Sequence, residues 1–351
     1  LSDLMFVFDA HLDLSLNAIE YNRDLRRSVR EIRGDEAGMT DLKGRAHGTV
    51  AFPEMREAGI GLCVATQLAG CMKPAAPIGS WNSPAQARAM TQGQLAWYRA
   101  MEDAGELRQI RSWPETEQHL EEWRSAPENT PIGYILSLEG ADSLRTLSDL
   151  EVSHEQGLCA LGPAHYGKGR YALGHDQDGP LSEQGGELLR EMDRLGLILD
   201  ATHLCEQTFW EALDLFQGPV WASHHNCRAL VDDPRQLADE QIKALAERGS
   251  VIGLAFDVWM VVPGWERGVT THADKPEANL EAVADHVDHV CQLLGTSRHT
   301  GIGTDLDGGF GTECGCNGAE SALIVGQGLY QLAHDGIITG HAAETGGMAR
   351  G

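Results

Sequence analysis

The chain has 351 residues, 42% hydrophobic and 23% charged, enough to bury a large core in one unit or two. Its 27 Lys and Arg against 52 Asp and Glu leave a formal charge of −25, a field that repels phosphate backbones and anionic lipid and so argues against nucleic acid as a partner. No stretch approaches the roughly 20 uncharged apolar residues of a membrane helix, and the eight cysteines are scattered, as expected of reduced thiols in a cytoplasmic protein.

Residues 4–8 are apolar, stop at Asp9 and have no basic region ahead of them, so they read as a strand rather than a signal peptide. Residue 1 is Leu rather than Met, which leaves an upstream segment open. Short apolar runs recur at residues 60–66, 132–138, 158–163, 197–201, 220–223, 251–256 and 300–304. Helical spacing fills the intervals at 84–104, 182–195, 206–216, 236–248 and 276–294. Alternating strand and helix predicts a parallel sheet, and eight runs predict closure into a (β/α)8 TIM barrel. A doubly wound open sheet is the alternative. One domain over 1–351 is expected, with the Gly-rich segment 22–49 and the Pro-bearing segment 73–83 as loop insertions at the C-terminal face.

Ionisable residues gather where these runs end. The motifs are Asp9-Ala10-His11-Leu12-Asp13, Ser137-Leu138-Glu139-Gly140, Ala164-His165, Asp200-Ala201-Thr202-His203, Ser223-His224-His225 and Thr304-Asp305-Leu306-Asp307. In a parallel barrel all strand ends open on one face, so residues remote in sequence converge there. His11 and Asp13 stand two apart and would project to the same side of an extended strand end. Any one strand-end histidine reads more simply as a hydrogen-bonded core residue, but that reading would have to succeed repeatedly here. Imidazole with carboxylate suits Zn²⁺ better than Mg²⁺. A glutamate between two such ions can bridge them.

With these motifs in this order, over roughly residues 6–313, the chain resembles the membrane (renal) dipeptidase family, peptidase family M19, among the amidohydrolase-like metal barrels. The resemblance implies two Zn²⁺ per chain, bridged by Glu139 and a hydroxide. His11 and Asp13 would ligate the first ion, and His203 and His224 the second. It implies that His165 steadies the oxyanion, that Arg235 grips the substrate carboxylate, and that Asp305 moves the proton from the water to the leaving amine. The implied activity is hydrolysis of dipeptides, including those with a D- or unusual C-terminal residue. A homodimer is left open. The alternatives are a related binuclear amidohydrolase acting on another amide, a lactam or an ester, and a non-catalytic metal-stabilised binding protein. Arg235 favours a substrate with a free carboxylate.

Three places depart from the family pattern. His225 follows His224 and should face away from the metal. Tyr166, Arg170 and Tyr171 follow His165 and are expected to reshape the pocket, with Trp259 and Trp265 as further candidates to line it. Residues 314–351, with Cys314 and Cys316, only faintly match the family's end. Outside the motifs, His286 and His289 read as a solvated helix face.

Overall fold

The strongest strand signal comes from a run whose residues are buried along its whole length, which only a strand covered on both faces can satisfy. That run is β2 (Ile60–Leu68), and all nine of its residues are buried. The computed structural model describes residues 6–71 and 78–308. Around β2 stand β1 (Val7–Leu12), β3 (Leu107–Gln109), β4 (Ile132–Glu139), β5 (Leu158–Gly162), β6 (Ile198–Asp200), β7 (Val220–Trp221), β8 (Ile252–Leu254) and β9 (Thr300–Ile302). Every pairing is parallel, in the order β7-β6-β5-β4-β2-β1-β9-β8. The ring closes between its two ends, where Ala222 N donates to Val251 O at 3.1 Å and Gly253 N to Ala222 O at 2.8 Å. The chain is therefore a (β/α)8 barrel.

β3 was not expected. It pairs with residues 132–134 of β4, on the edge that β5 takes over from Leu136 onward. Only Leu107 of its three residues is buried, so it carries no apolar run to read. β1 also differs from expectation. It continues to Leu12, because β2 keeps pairing with it as far as Leu12↔Ala65. His11 thus belongs to the strand, whereas Asp13 is the N-cap of the short helix Leu14–Ile19.

The helices obey their caps. Pro84–Asp103 starts behind Ser83, whose hydroxyl accepts from Gln86 N, and has Pro84 in its first turn. Glu183–Leu195 ends on Gly196 in the left-handed region at φ 71°. Leu280–Leu294 begins later than its apolar spacing suggests, because Asn279 caps it through Ala282 N. His286 on that helix is fully buried rather than solvated: Cys227 N donates to its Nδ1 at 3.0 Å, and its Nε2 lies 3.1 Å from Val261 O. His289 pairs with Asp239 at 2.8 Å. No described helix is long and apolar enough to cross a membrane.

Where β7, β8 and β9 finish, the barrel admits no side chain. A Cβ on Gly303 would stand 1.8 Å from Ser223 O, and one on Gly253 2.0 Å from the same atom. Gly303→Ala should therefore destabilise the fold by roughly 2–3 kcal/mol, because the obstruction is backbone and cannot swing aside. Gly93→Ala, on an exposed helix position with open space around it, should instead stabilise by about 0.5–1 kcal/mol. Urea denaturation midpoints of the two variants test this, and similar midpoints would contradict it.

Candidate metal centre

Parallel pairing brings the strand ends together, and the register of β2 against β4 sets Glu139 beside Leu68 at the rim. Glu139 stands at the middle of the cluster. Its Oε2 is 3.5 Å from His11 Nε2, while its Oε1 is 3.0 Å from His203 Nε2, 3.4 Å from His224 Nε2 and 4.0 Å from His165 Nε2. On the Oε2 side, His11 Nε2 is also 3.9 Å from Asp13 Oδ2 and 3.8 Å from Asp305 Oδ1. His11, Asp13, Glu139, His203 and His224 are all buried.

The far sides of these ligand-type groups are held by the protein. Ser223 Oγ lies 2.9 Å from His224 Nδ1, and His175 Nδ1 lies 3.3 Å from His203 Nδ1. Thr66 Oγ1 donates to Asp13 Oδ1. Asp9 accepts from His11 N and from both the amide and hydroxyl of Thr304, tying β1 to the end of β9. His203 and His224 are thereby left with Nε2 aimed inward, the arrangement that orients metal-binding histidines. His11 Nε2 is buried with no hydrogen-bond partner, and His203 Nε2 and His224 Nε2 face each other at 3.0 Å. Donor sets His11–Glu139–His224, Glu139–His165–His203 and His11–Asp13–Asp305 each have their ligand atoms within 4.8 Å. Orphaned inward nitrogens around a carboxylate fit a divalent cation of the zinc type.

Electrostatics agree. Burial raises Asp13, and the nearby Glu139 adds to it, to about 6. Burial works against charge on His11, but Glu139, Asp13 and Asp305 outweigh it and hold the imidazole at about 10. Burial would also raise Glu139, yet His11, His165 and Arg235 keep it down at about 2. Asp305 is raised, first by burial and then by Asp13 and Glu139. His203 and His224 are held low by burial, and so are neutral. Without a cation, the centre is a site of crowded carboxylates that borrow protons.

The centre floors a cavity of about 710 Å³. Among the donor-set residues His165 and Asp305 are the most open, at 28% and 17% side-chain exposure. Arg235 is fully buried at the cavity wall; its Nη2 donates to His224 O at 2.9 Å, and its Nη1 has no partner. Of the residues after His165, only Tyr166 lines the cavity. Arg170 and Tyr171 instead both donate to Leu144 O and hold the loop. Trp259 stands behind the wall, donating to Asp257 at 2.7 Å beneath Arg267, and neither it nor Trp265 lines the cavity. Both ring nitrogens of His225 are buried without hydrogen-bond partners, and His225 joins none of the donor sets.

Sequence reasoning missed Asp307. Its carboxylate accepts from Thr49 N, Thr49 Oγ1 and Val50 N, and Arg23 Nη1 lies 3.4 Å away. Arg23 in turn pairs with Glu36 at 2.8 Å. The far end of insertion 22–49 is thus pinned two residues from Asp305. His203, Asp305 and Asp307 all sit at positive φ (69°, 56° and 62°), strain of roughly 1–3 kcal/mol each that the surroundings must hold. The second aspartate of Thr304-Asp305-Leu306-Asp307 was the available signal.

A parallel (β/α)8 barrel with imidazole and carboxylate donors on its C-terminal rim defines the class of metal-site barrels. The chain belongs to the Membrane dipeptidase family, peptidase family M19, whose model matches residues 1–327. Dipeptidase tcpJ of Claviceps purpurea (strain 20.1) is 33% identical over 184 residues, 50% of this chain and only 41% of that one, so the match spans less than half the relative's length. Dipeptidase AC, a metallopeptidase of family M19, is 25% identical with a TM-score of 0.72, over 95% of this chain and 93% of that one. A metallopeptidase from Rhodobacter sphaeroides, liganded with a phosphinate mimic of L-Ala-D-Ala, shares the fold at 23% identity, with the same TM-score and coverage.

Two outcomes follow from this geometry. Metal uptake near pH 7 should displace the proton that His11 holds, so affinity should fall as pH drops, and more steeply below about 6, where Asp13 also regains its proton. Calorimetry in buffers of differing ionisation heat reads both, and proton-neutral, pH-flat uptake would contradict it. Asp307→Ala should lower stability by roughly 3 kcal/mol, since it strands three buried donors and removes one of the two carboxylates beside Arg23. A thermal midpoint matching the parent's would count against that role.

Proposed function

We propose that the chain is a metal-dependent dipeptidase that holds two zinc ions, with His11 and Asp13 on one, His203 and His224 on the other, and Glu139 between them. The observation that carries this reading is the division of Glu139, with Oε2 toward His11 and Oε1 toward His203 and His224. When bound, the ions would supply a hydroxide near neutral pH and polarise the scissile carbonyl.

The chain's own groups do the rest. Arg235 orients the substrate by its carboxylate; a buried guanidinium with a free Nη1, and no carboxylate within ion-pair distance among the described residues, is costly unless a ligand anion completes it. His165 is held neutral chiefly by burial and reaches toward Glu139 Oε1 from the open side, where its ring can steady negative charge on the carbonyl oxygen. Asp305 faces the same space from the His11 side and serves as the proton carrier to the leaving amine. No side-chain nucleophile is required. Arg235 and the open Asp305 favour this reading over a purely structural metal site.

Asp305→Asn in metal-loaded protein should cut kcat by about 10²–10⁴-fold, the usual worth of a positioned acid–base group. Arg235→Lys should not restore what Arg235→Ala loses in kcat/KM, because a point charge does not reproduce the fork. The assay is a panel of L-L and L-D dipeptides with metal content measured in parallel. Full metal loading with no turnover of any dipeptide would overturn the proposal.

A further inference from the structure

The cavity has two walls of opposite character, and the strand order sets them across from each other. Around the ring, β2 stands four places from β7, which in an eight-stranded barrel is the diametrically opposite position. Arg235 follows β7, and Arg267 and Asp257 follow β8. The wall supplied by segments after β1 and β2 carries an apolar cluster, Leu16, Tyr21, Leu42, Leu68 and Ile78, with the polar Thr40, Asp41, Lys43 and Ser80 beside it on the cavity lining. These five form a small cluster apart from the main core, with Leu16, Tyr21 and Leu68 buried and Leu42 and Ile78 packed on them. Leu42 comes from the insertion 22–49, whose backbone is fastened there by Tyr21 Oη donating to Lys43 O at 3.0 Å.

We infer that this wall is the recognition surface for the substrate's N-terminal side chain and selects a bulky apolar residue. The inference rests on the dipeptidase reading above. A dipeptide whose carboxylate meets Arg235, and whose scissile carbonyl lies over Glu139 near the barrel axis, must run its N-terminal residue away from β7, toward β1 and β2. There its amino group passes the carboxylates of Asp13 and Asp305, while its side chain meets the apolar cluster. A leucine or phenylalanine side chain gains burial there. An aspartate or lysine would lose hydration against these five side chains, and the neighbouring Asp41 is already paired with Arg45 at 2.9 Å.

The test uses the metal-loaded enzyme and a series X-Gly with X = Gly, Ala, Leu, Phe, Asp and Lys, where glycine at the second position removes stereochemistry as a variable. Leu-Gly and Phe-Gly should exceed Ala-Gly in kcat/KM by about tenfold or more, and Asp-Gly and Lys-Gly should fall below it. The ratio of Leu-Gly to Ala-Gly does not depend on the fraction of active protein. It should drop about fivefold in Leu42→Ala and in Ile78→Ala, and persist in Leu42→Met. Turnover with a flat series, or a ratio unmoved in both alanine variants, overturns this inference and leaves the dipeptidase reading standing. Absence of turnover on every dipeptide removes both.

Discussion

Everything at the rim answers to one constraint: three carboxylates, Asp13, Glu139 and Asp305, are crowded around the single inward nitrogen of His11, at 3.9, 3.5 and 3.8 Å. Like charges buried together are costly, and one imidazole cannot balance three carboxylates. The chain holds them by external ties. Asp9 locks β1 to the end of β9, Thr66 fixes Asp13, and Ser223 fixes His224. Three non-glycine residues at the rim accept left-handed backbone in the process. The stability lost here is supplied by a barrel whose interior is otherwise closely packed, with glycine where backbone meets backbone at Gly253 and Gly303.

The same ring that gathers the donors also separates the cavity walls. Segments after β1 and β2 bring an apolar cluster flanked by Asp41 and Lys43, and those after β7 and β8 bring Arg235, Arg267, Asp257 and Met260. Because strand order converts chain position into angular position, a dipole-like asymmetry across the pocket follows from topology alone.

Much of this was legible before any coordinates. The eight ring strands betray themselves as apolar runs, and every proposed site residue except Arg235, which only the family resemblance pointed to, stands at or soon after a run's end, so parallel closure brings them together. What stayed hidden was hidden for physical reasons. β3 buries one residue in three and borrows its pairing from β4. The extension of β1 through His11 depends on partners in β2, which local pattern cannot show. His286 reads as polar and solvated until Cys227 N and Val261 O are seen to satisfy it. Arg170 and Tyr171 look like pocket residues, but backbone at Leu144 claims both. The apolar wall was masked because Leu42 sits in a segment whose charges dominate its composition. Cys314, Cys316 and residues 314–351 lie outside the described residues.

The fastening of the 22–49 insertion has an evolutionary consequence. Its two ends are gripped by Arg23 and by Thr49–Val50, both converging on Asp307, while Leu42 reaches the pocket from between them. Anchorage and recognition therefore reside in different residues of one excursion. Drift in the middle of the loop can reshape the pocket lining without disturbing Asp305 next door, whereas drift at the anchors disturbs both.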